Sequence, residues 1–252
     1  MGMIGNGYGS EHHLRTLMAS RNRNFELSLV NLIGADTSSR IDWHSNYRTM
    51  SGLEIRGVDF LPDTFAVNWK AYWPDPRAWA HLDRQGIHNW DGVGTITCAR
   101  DPEWLLLEAK AHLGEMQNSP KCGAGESSRK RIKRAFQKTR FAMGLTDSIE
   151  ADVPESWFCA GGYQIANRLA ALNFLLSQSP VQNAHLIFIY FVGARFPGIT
   201  CPRNESEWRG VLQAKYADMG ISAEHAFSSR VHHMFPNFEL LTGATPDIWE
   251  GR

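Results

Sequence analysis

The run LIFIYFVG at residues 186–193 leaves this chain few ways to fold. Eight apolar or small residues without a polar break need cover on both faces. A strand obtains that cover in the middle of a sheet with helices on either side. The run is far too short to cross a bilayer, which takes about 20 apolar residues in a helix. Immediately upstream, GGYQIANRLAALNFLLSQ (161–178) places Leu169, Leu172, Leu175 and Leu176 on one broad stripe, and SQSP ends it. A helix feeding a fully buried strand is the unit of an α/β protein.

The rest of the chain reads around that unit. Ser10 opens a helix to about Ser20, with Leu14, Leu17 and Met18 at helical spacing. GVGTITCA and EWLLLEAKAH, joined by ARDP, read as a hairpin. Residues 127–144 form a second helix with Ile132, Phe136 and Met143 toward one side. In NESEW, Asn204 as N-cap and Glu207 three residues on make a capping box for a helix to about Met219. Residues 35–60 are polar and give no assignment. Residues 60–90 carry Trp69, Tyr72, Trp73, Trp79 and Trp90 among prolines and read as an irregular, aromatic-packed insertion. No internal repeat or low-complexity linker divides the chain. We expect one α/β domain over residues 1–252 with a mixed sheet, a Trp-rich insertion near 60–90 and a basic helical insertion near 127–144.

Composition removes several function classes. The 26 basic and 26 acidic residues cancel, so attraction to polyanions must come from local patches. Cys98, Cys122, Cys159 and Cys201 never form a Cys-x-x-Cys pair, which argues against a zinc site or disulfide scaffold and suits a reducing compartment. The N-terminus lacks the cationic start and apolar run of a signal peptide, and Asn6 stands where a myristoylation motif wants Ser or Thr. A cytoplasmic location and no membrane partner are expected.

The chemistry concentrates at one place. Trp104-Leu105-Leu106-Leu107 heads into the core, yet it runs into Glu108 and Lys110, and isolated charges inside a protein are expensive. Residues two apart on a strand share a face, so these two project together while Ala109 turns away. Asp91 begins the partner strand of the hairpin and comes alongside. Two carboxylates and an ammonium then meet at one sheet edge. Such a set suits Mg²⁺, which takes oxygen ligands from one or two carboxylates, water and phosphate. Lys110 would hold or deprotonate a water and offset phosphate charge.

Asp91 followed by Glu108-Ala109-Lys110 at the end of an apolar strand resembles the PD-(D/E)XK signature of restriction-endonuclease-like nucleases. The resemblance covers residues 79–193 plus Glu11. It implies an α-β-β-β-α-β core with a central mixed sheet and Mg²⁺-dependent hydrolysis of DNA phosphodiesters, with Mn²⁺ able to substitute. It makes Asp91, Glu108 and the Ala109 carbonyl metal ligands and Lys110 the catalytic lysine. Glu11 would supply an acidic ligand from the first core helix. Gln164 would be a catalytic polar residue on the helix after the strand, with Arg168 one turn later as a nucleic-acid contact. Trp90 stands where the family's name puts proline, and the basic helix lengthens the spacing to Gln164.

Arg129, Lys130, Arg131, Lys133, Arg134, Lys138 and Arg140 form a basic run without an acidic residue. Beside a nuclease centre it would grip DNA phosphates; by itself it would be a solvated face. GNGYGS lacks the preceding strand and the lysine of a P-loop. His12-His13 and His232-His233 read as packing or surface residues, because adjacent side chains point apart. Three readings stay open: the nuclease, a non-catalytic nucleic-acid-binding or structural protein of the same fold, and an enzyme of other chemistry with its pocket under the Trp-rich insertion. A homodimer is compatible with each.

Overall fold

The computed structural model describes residues 9–44, 55–74, 89–97, 102–178, 181, 183–194, 199 and 201–242. Gly2, Asn6, Trp79, Cys98, most of the glycine-rich start, turn residues 99–101 and the SP of SQSP lie outside them. The elements are α1 (Ser10–Ala19), α2 (Arg23–Leu32), β1 (Ile41–Trp43), β2 (Ile55–Arg56), α3 (Trp69–Tyr72), β3 (Asn89–Trp90), β4 (Gly92–Ile96) and β5 (Glu103–Lys110). They continue with α4 (Leu113–Gln117), α5 (Glu126–Ala142), α6 (Gly162–Leu176), β6 (Ala184–Tyr190), α7 (Glu205–Asp218), β7 (Val231–Met234) and α8 (Phe238–Thr242).

A five-stranded mixed sheet runs in the order β1-β4-β5-β6-β7. β1, β4 and β5 are antiparallel neighbours, and β5, β6 and β7 are parallel. The expected hairpin forms with Gly92 opposite Leu107. Every residue of β6 is buried, as the apolar run requires. In chain order the first sheet strands and the longer helices run α1, α2, β1, β4, β5, α5, α6, β6, so the expected α-β-β-β-α-β order appears only when α2 and α5 are set aside. Among the described residues, no helix is long and apolar enough to cross a membrane.

Alternation along the strands divides the core into two layers. Leu105, Leu107, Ala109, Ile187 and Ile189 face α1 and α2, where Leu14, Leu17, Phe25 and Leu29 meet them. Trp104, Leu106, Leu186, Phe188 and Tyr190 face the other layer, built on α6 and α5. Trp69, Trp73 and Trp90 are buried in that second layer, so the described part of the Trp-rich segment packs as expected. Tyr72 lies across the two helices, its hydroxyl 3.2 Å from Thr139 and accepting from the Asn173 amide at 3.1 Å. α5 buries Ile132, Ala135 and Phe136 and packs against α6 in the second layer.

The histidine pairs separate as expected for adjacent residues. On β7, His232 bonds His185 at 3.0 Å while His233 stacks on Phe188 and meets the Tyr216 hydroxyl at 3.1 Å. On α1, His13 stacks on Phe238 with ring centroids 4.0 Å apart. Burial lowers the pKa of His13 and His233 to about 4 and that of His185 to about 3. Each stays neutral in the fold while its unfolded counterpart titrates near 6.5. Below pH 6.5 the unfolded chain therefore binds protons that the folded one refuses, and stability falls with pH toward about 4. Each refused proton steepens the fall by about 1.4 kcal/mol per pH unit. We expect His13→Phe to reduce that slope, measured from urea midpoints between pH 6.5 and 4, by about one proton. An unreduced slope would mean that His13 titrates normally.

Candidate active site

β5 supplies the site through its alternation. Trp104, Leu106, Glu108 and Lys110 share the face toward α6. The first two end in the apolar layer, and the next two lie level with Phe188 and Tyr190 of β6. Ala109 turns to the other layer, as expected. Asp91 sits in the single-residue break between β3 and β4, where its amide donates to the Leu107 carbonyl (3.2 Å). Its Oδ2 accepts from the Ala109 amide at 2.7 Å. Asp91, Glu108 and Lys110 thus converge at the C-terminal end of β5.

Glu108 is 2% exposed and Arg168 3%. A bare carboxylate at that depth would be neutralised, so its partners decide its state. Gln164 Nε2 donates to Oε1 at 2.6 Å, and Arg168 Nε donates to Oε2 at 2.7 Å. Lys110 Nζ bonds Oε1 as well and donates to the Ala109 carbonyl at 3.0 Å. Burial works against ionisation, but Arg168 and Lys110 prevail and hold the Glu108 carboxyl below its usual range. Lys110 is largely withdrawn from water, its side chain 12% exposed, yet Glu108 and Asp91 hold its ammonium above the ordinary lysine value. For Asp91, loss of water comes first and the Glu108 charge second; together they push its carboxyl well up against the pull of Lys110. The cluster therefore contains one firmly ionised carboxylate, one that resists ionisation, and a charged lysine.

Gln164 and Arg168 reach Glu108 from consecutive turns of α6, the i, i+4 relation expected from the sequence. Arg168 also donates to the Asn89 carbonyl at 2.6 Å and to Asn167 Oδ1 at 2.9 Å, and lies 4.9 Å over the Trp90 ring. It is a buried strut between α6, β5 and β3, which differs from the nucleic-acid contact expected of it. The approach of α6 depends on Gly161-Gly162. Gly161 takes a positive φ of 79°, and a Cβ on Gly162 would fall 2.0 Å from the Ser156 carbonyl oxygen.

Glu11 lies in the first turn of α1. That turn is tied to the end of β5 by Glu115, a residue the sequence did not single out. Its Oε1 accepts from the Ser10 amide and hydroxyl, and its Oε2 accepts from the Ala111 amide at 2.5 Å. A signal was present: Glu115 stands three residues after the N-cap His112 of α4. Tyr190 was also missed, because within an apolar run its hydroxyl gives no pattern.

The basic run on α5 is partly spent within the protein. Arg129 pairs with Glu155 and Lys133 with Asp152, each at 2.9 Å, and Lys130 pairs with Glu126 at 2.8 Å. Arg131 donates to the Lys70 carbonyl, and Arg140 to the Asp152 carbonyl. Lys138 is exposed, with its ammonium 5.9 Å from the Tyr72 ring centroid, and Arg134 is exposed.

The oxygen donors fit a hard divalent cation. Lys110 already shows that Glu108 Oε1 and the Ala109 carbonyl converge on one positive charge, with the Asp91 carboxylate adjoining. Among the described residues no group of three or more His, Cys, Asp or Glu side chains is placed to hold a metal ion, so Glu11 does not complete an acidic trio here. An ion would rest on Asp91, Glu108, the Ala109 carbonyl, water and substrate oxygens, a set typical of Mg²⁺. No protein-family model, curated protein or solved structure matches the chain.

Proposed function

We propose that this chain is a metal-dependent nuclease with a restriction-endonuclease-like core, hydrolysing DNA phosphodiester bonds at Asp91, Glu108 and Lys110. The observation that carries the reading is the convergence of the Glu108 carboxylate and the Ala109 carbonyl on the Lys110 ammonium, beside Asp91, at the C-terminal end of a central strand. An α-β-β-β-α-β order, with α2 and α5 set aside as insertions, supports it, as does a crevice of about 10 Å³ lined by Glu108, Lys110 and Gln164. Mg²⁺, or Mn²⁺ in its place, would supply charge to polarise the phosphoryl group and acidify a water.

The chain's own residues do the rest. Asp91 and Glu108 set the position of positive charge against the phosphate. Lys110, held protonated, orients the attacking water and offsets charge on the phosphoryl oxygens, so it serves better as an electrostatic donor than as a base. As the water oxygen bonds to phosphorus, the bond to the leaving sugar oxygen breaks; the attacking water gives up a proton to solvent, and the leaving oxygen takes one from solvent to become a hydroxyl. Gln164 fixes the Glu108 carboxylate. Mg²⁺- or Mn²⁺-dependent nicking of plasmid DNA by the intact chain is the direct test.

A second reading is a non-catalytic nucleic-acid-binding or structural protein of the same fold. It draws on the completeness of the Glu108–Lys110–Arg168 network, which needs no metal to be satisfied. Calorimetry separates the two, since only the nuclease should bind Mn²⁺ in a manner that Asp91→Asn abolishes.

DNA would lie across α5 through the charges not consumed internally. Replacing Arg134 and Lys138 by alanine should weaken binding to all sequences alike. It should also flatten the salt dependence, by about 0.9 in log–log slope for each phosphate no longer neutralised. Unchanged affinity and slope would leave α5 a solvated face.

A further inference from the structure

The Lys110 ammonium rests on the oxygens that a metal ion would need. It donates to Glu108 Oε1 and, at 3.0 Å, to the Ala109 carbonyl, with Asp91 held alongside through the Ala109 amide at 2.7 Å. Glu108 has no acceptor site to spare. Each carboxylate oxygen offers about two. Oε1 takes Lys110 and the Gln164 amide, and Oε2 has Arg168 Nε at 2.7 Å and Nη2 at 2.6 Å. A divalent cation can reach this carboxylate only if one of the three partners gives way.

The geometry selects Lys110 as that partner. Arg168 is tied at once to Glu108, the Asn89 carbonyl and Asn167 Oδ1, and lies over the Trp90 ring. Gln164 is neutral, so its departure would leave two cations crowded on one carboxylate. Lys110 ends β5 on a flexible four-carbon stem, and its side chain is 12% exposed against 4% for Arg168. Exchange of one cation for another also keeps the buried Glu108 charge matched throughout, whereas a buried carboxylate stripped of a partner is strongly destabilising. Gln164 and Arg168 meanwhile hold one carboxylate oxygen each, so Glu108 keeps its orientation while its third partner changes.

We propose that Lys110 is a placeholder at the metal site: its ammonium holds Glu108 and the Ala109 carbonyl together without a metal and yields those oxygens when a divalent cation binds. Only then are its protons free for phosphoryl oxygens, so Lys110 serves the substrate after the metal and not before it. That the substrate is a DNA phosphodiester rests on the nuclease reading; the competition for Glu108 and Ala109 does not.

The test titrates Mn²⁺ calorimetrically into the full chain and into Lys110→Met, which keeps most of the stem without its charge. Mn²⁺ should bind the variant about tenfold more tightly, the scale of one hydrogen bond to a charged group that no longer has to be broken. The variant's urea midpoint should fall without metal and respond more strongly to Mn²⁺ than the wild type's does. Binding by the variant alone would be the extreme form of the expected result. Equal or weaker binding by the variant, or binding by neither protein, overturns the proposal. A charge that merely stood nearby would also weaken metal binding, so a second measurement follows the ammonium itself. In wild-type protein labelled with ¹⁵N at lysine Nζ, saturating Mg²⁺ must shift or abolish one hydrogen-bonded ammonium resonance. If every such resonance is unmoved the proposal fails, whether or not the variant folds. Tighter Mn²⁺ binding by Lys110→Met without DNA cleavage by the wild type would uphold the placeholder and defeat the nuclease reading. Cleavage by the wild type with equal Mn²⁺ binding in both proteins would do the reverse.

Discussion

Asp91→Asn and Glu108→Gln should each reduce Mg²⁺-dependent DNA cleavage about 10³-fold, the upper scale for removing a single electrostatic group from a hydrolytic site. Their stabilities should part company. The Asp91 carboxyl already resists ionisation, and an asparagine oxygen can still accept from the Ala109 amide, so Asp91→Asn should melt at or above the wild-type temperature. Glu108→Gln leaves Lys110 and Arg168 without their counter-charge and should lose about 3 kcal/mol. The loss follows from the depth of Glu108 and from its two cationic partners. Parallel plasmid-nicking and urea-unfolding measurements check both halves. Undiminished nicking by Asp91→Asn, folded and fully charged elsewhere, would end the assignment of hydrolysis to this cluster.

Arg168→Met carries the second large effect. The methionine retains much of the volume but removes every bond of the guanidinium: to Glu108, to the Asn89 carbonyl and to Asn167, together with its place over Trp90. Glu108 keeps Lys110 and Gln164, yet part of a buried charge is left unmatched, for a loss of about 3–5 kcal/mol. Combining it with Glu108→Gln should cost less than the sum of the single losses, because each substitution removes the charge that the other leaves stranded. A double-mutant cycle in urea reads that coupling directly. Additive losses would mean that Arg168 acts through Trp90 and Asn89 and not through Glu108.

What the amino-acid pattern made legible follows from the kind of contact involved. β6 and α6 were readable because continuous or 3.6-residue apolar patterns need only burial to explain them. The Glu108–Lys110 face followed from the two-residue strand period, and Gln164 with Arg168 from one helical turn. α2 was not assigned, although Asn22 caps it through the Phe25 amide, since Arg23, Asn24, Glu26 and Asn31 dilute its apolar face. β7 reads VHHM and β1 only IDW, strands too short for any period to declare itself. Glu115 and Tyr190 take their meaning from chain segments packed beside them, which periodicity does not encode. The charges on α5 were counted correctly, but their partners Asp152 and Glu155 lie beyond the helix and became visible only in space.

The close approach at Gly162 has a consequence for anyone wishing to retune this pocket. With no room for a Cβ beside the Ser156 carbonyl, main chain rests on main chain, and the start of α6 has a fixed datum from which Gln164 and Arg168 are measured. The direction from which Gln164 and Arg168 reach Glu108 is therefore set first by backbone contact and only then by their side chains.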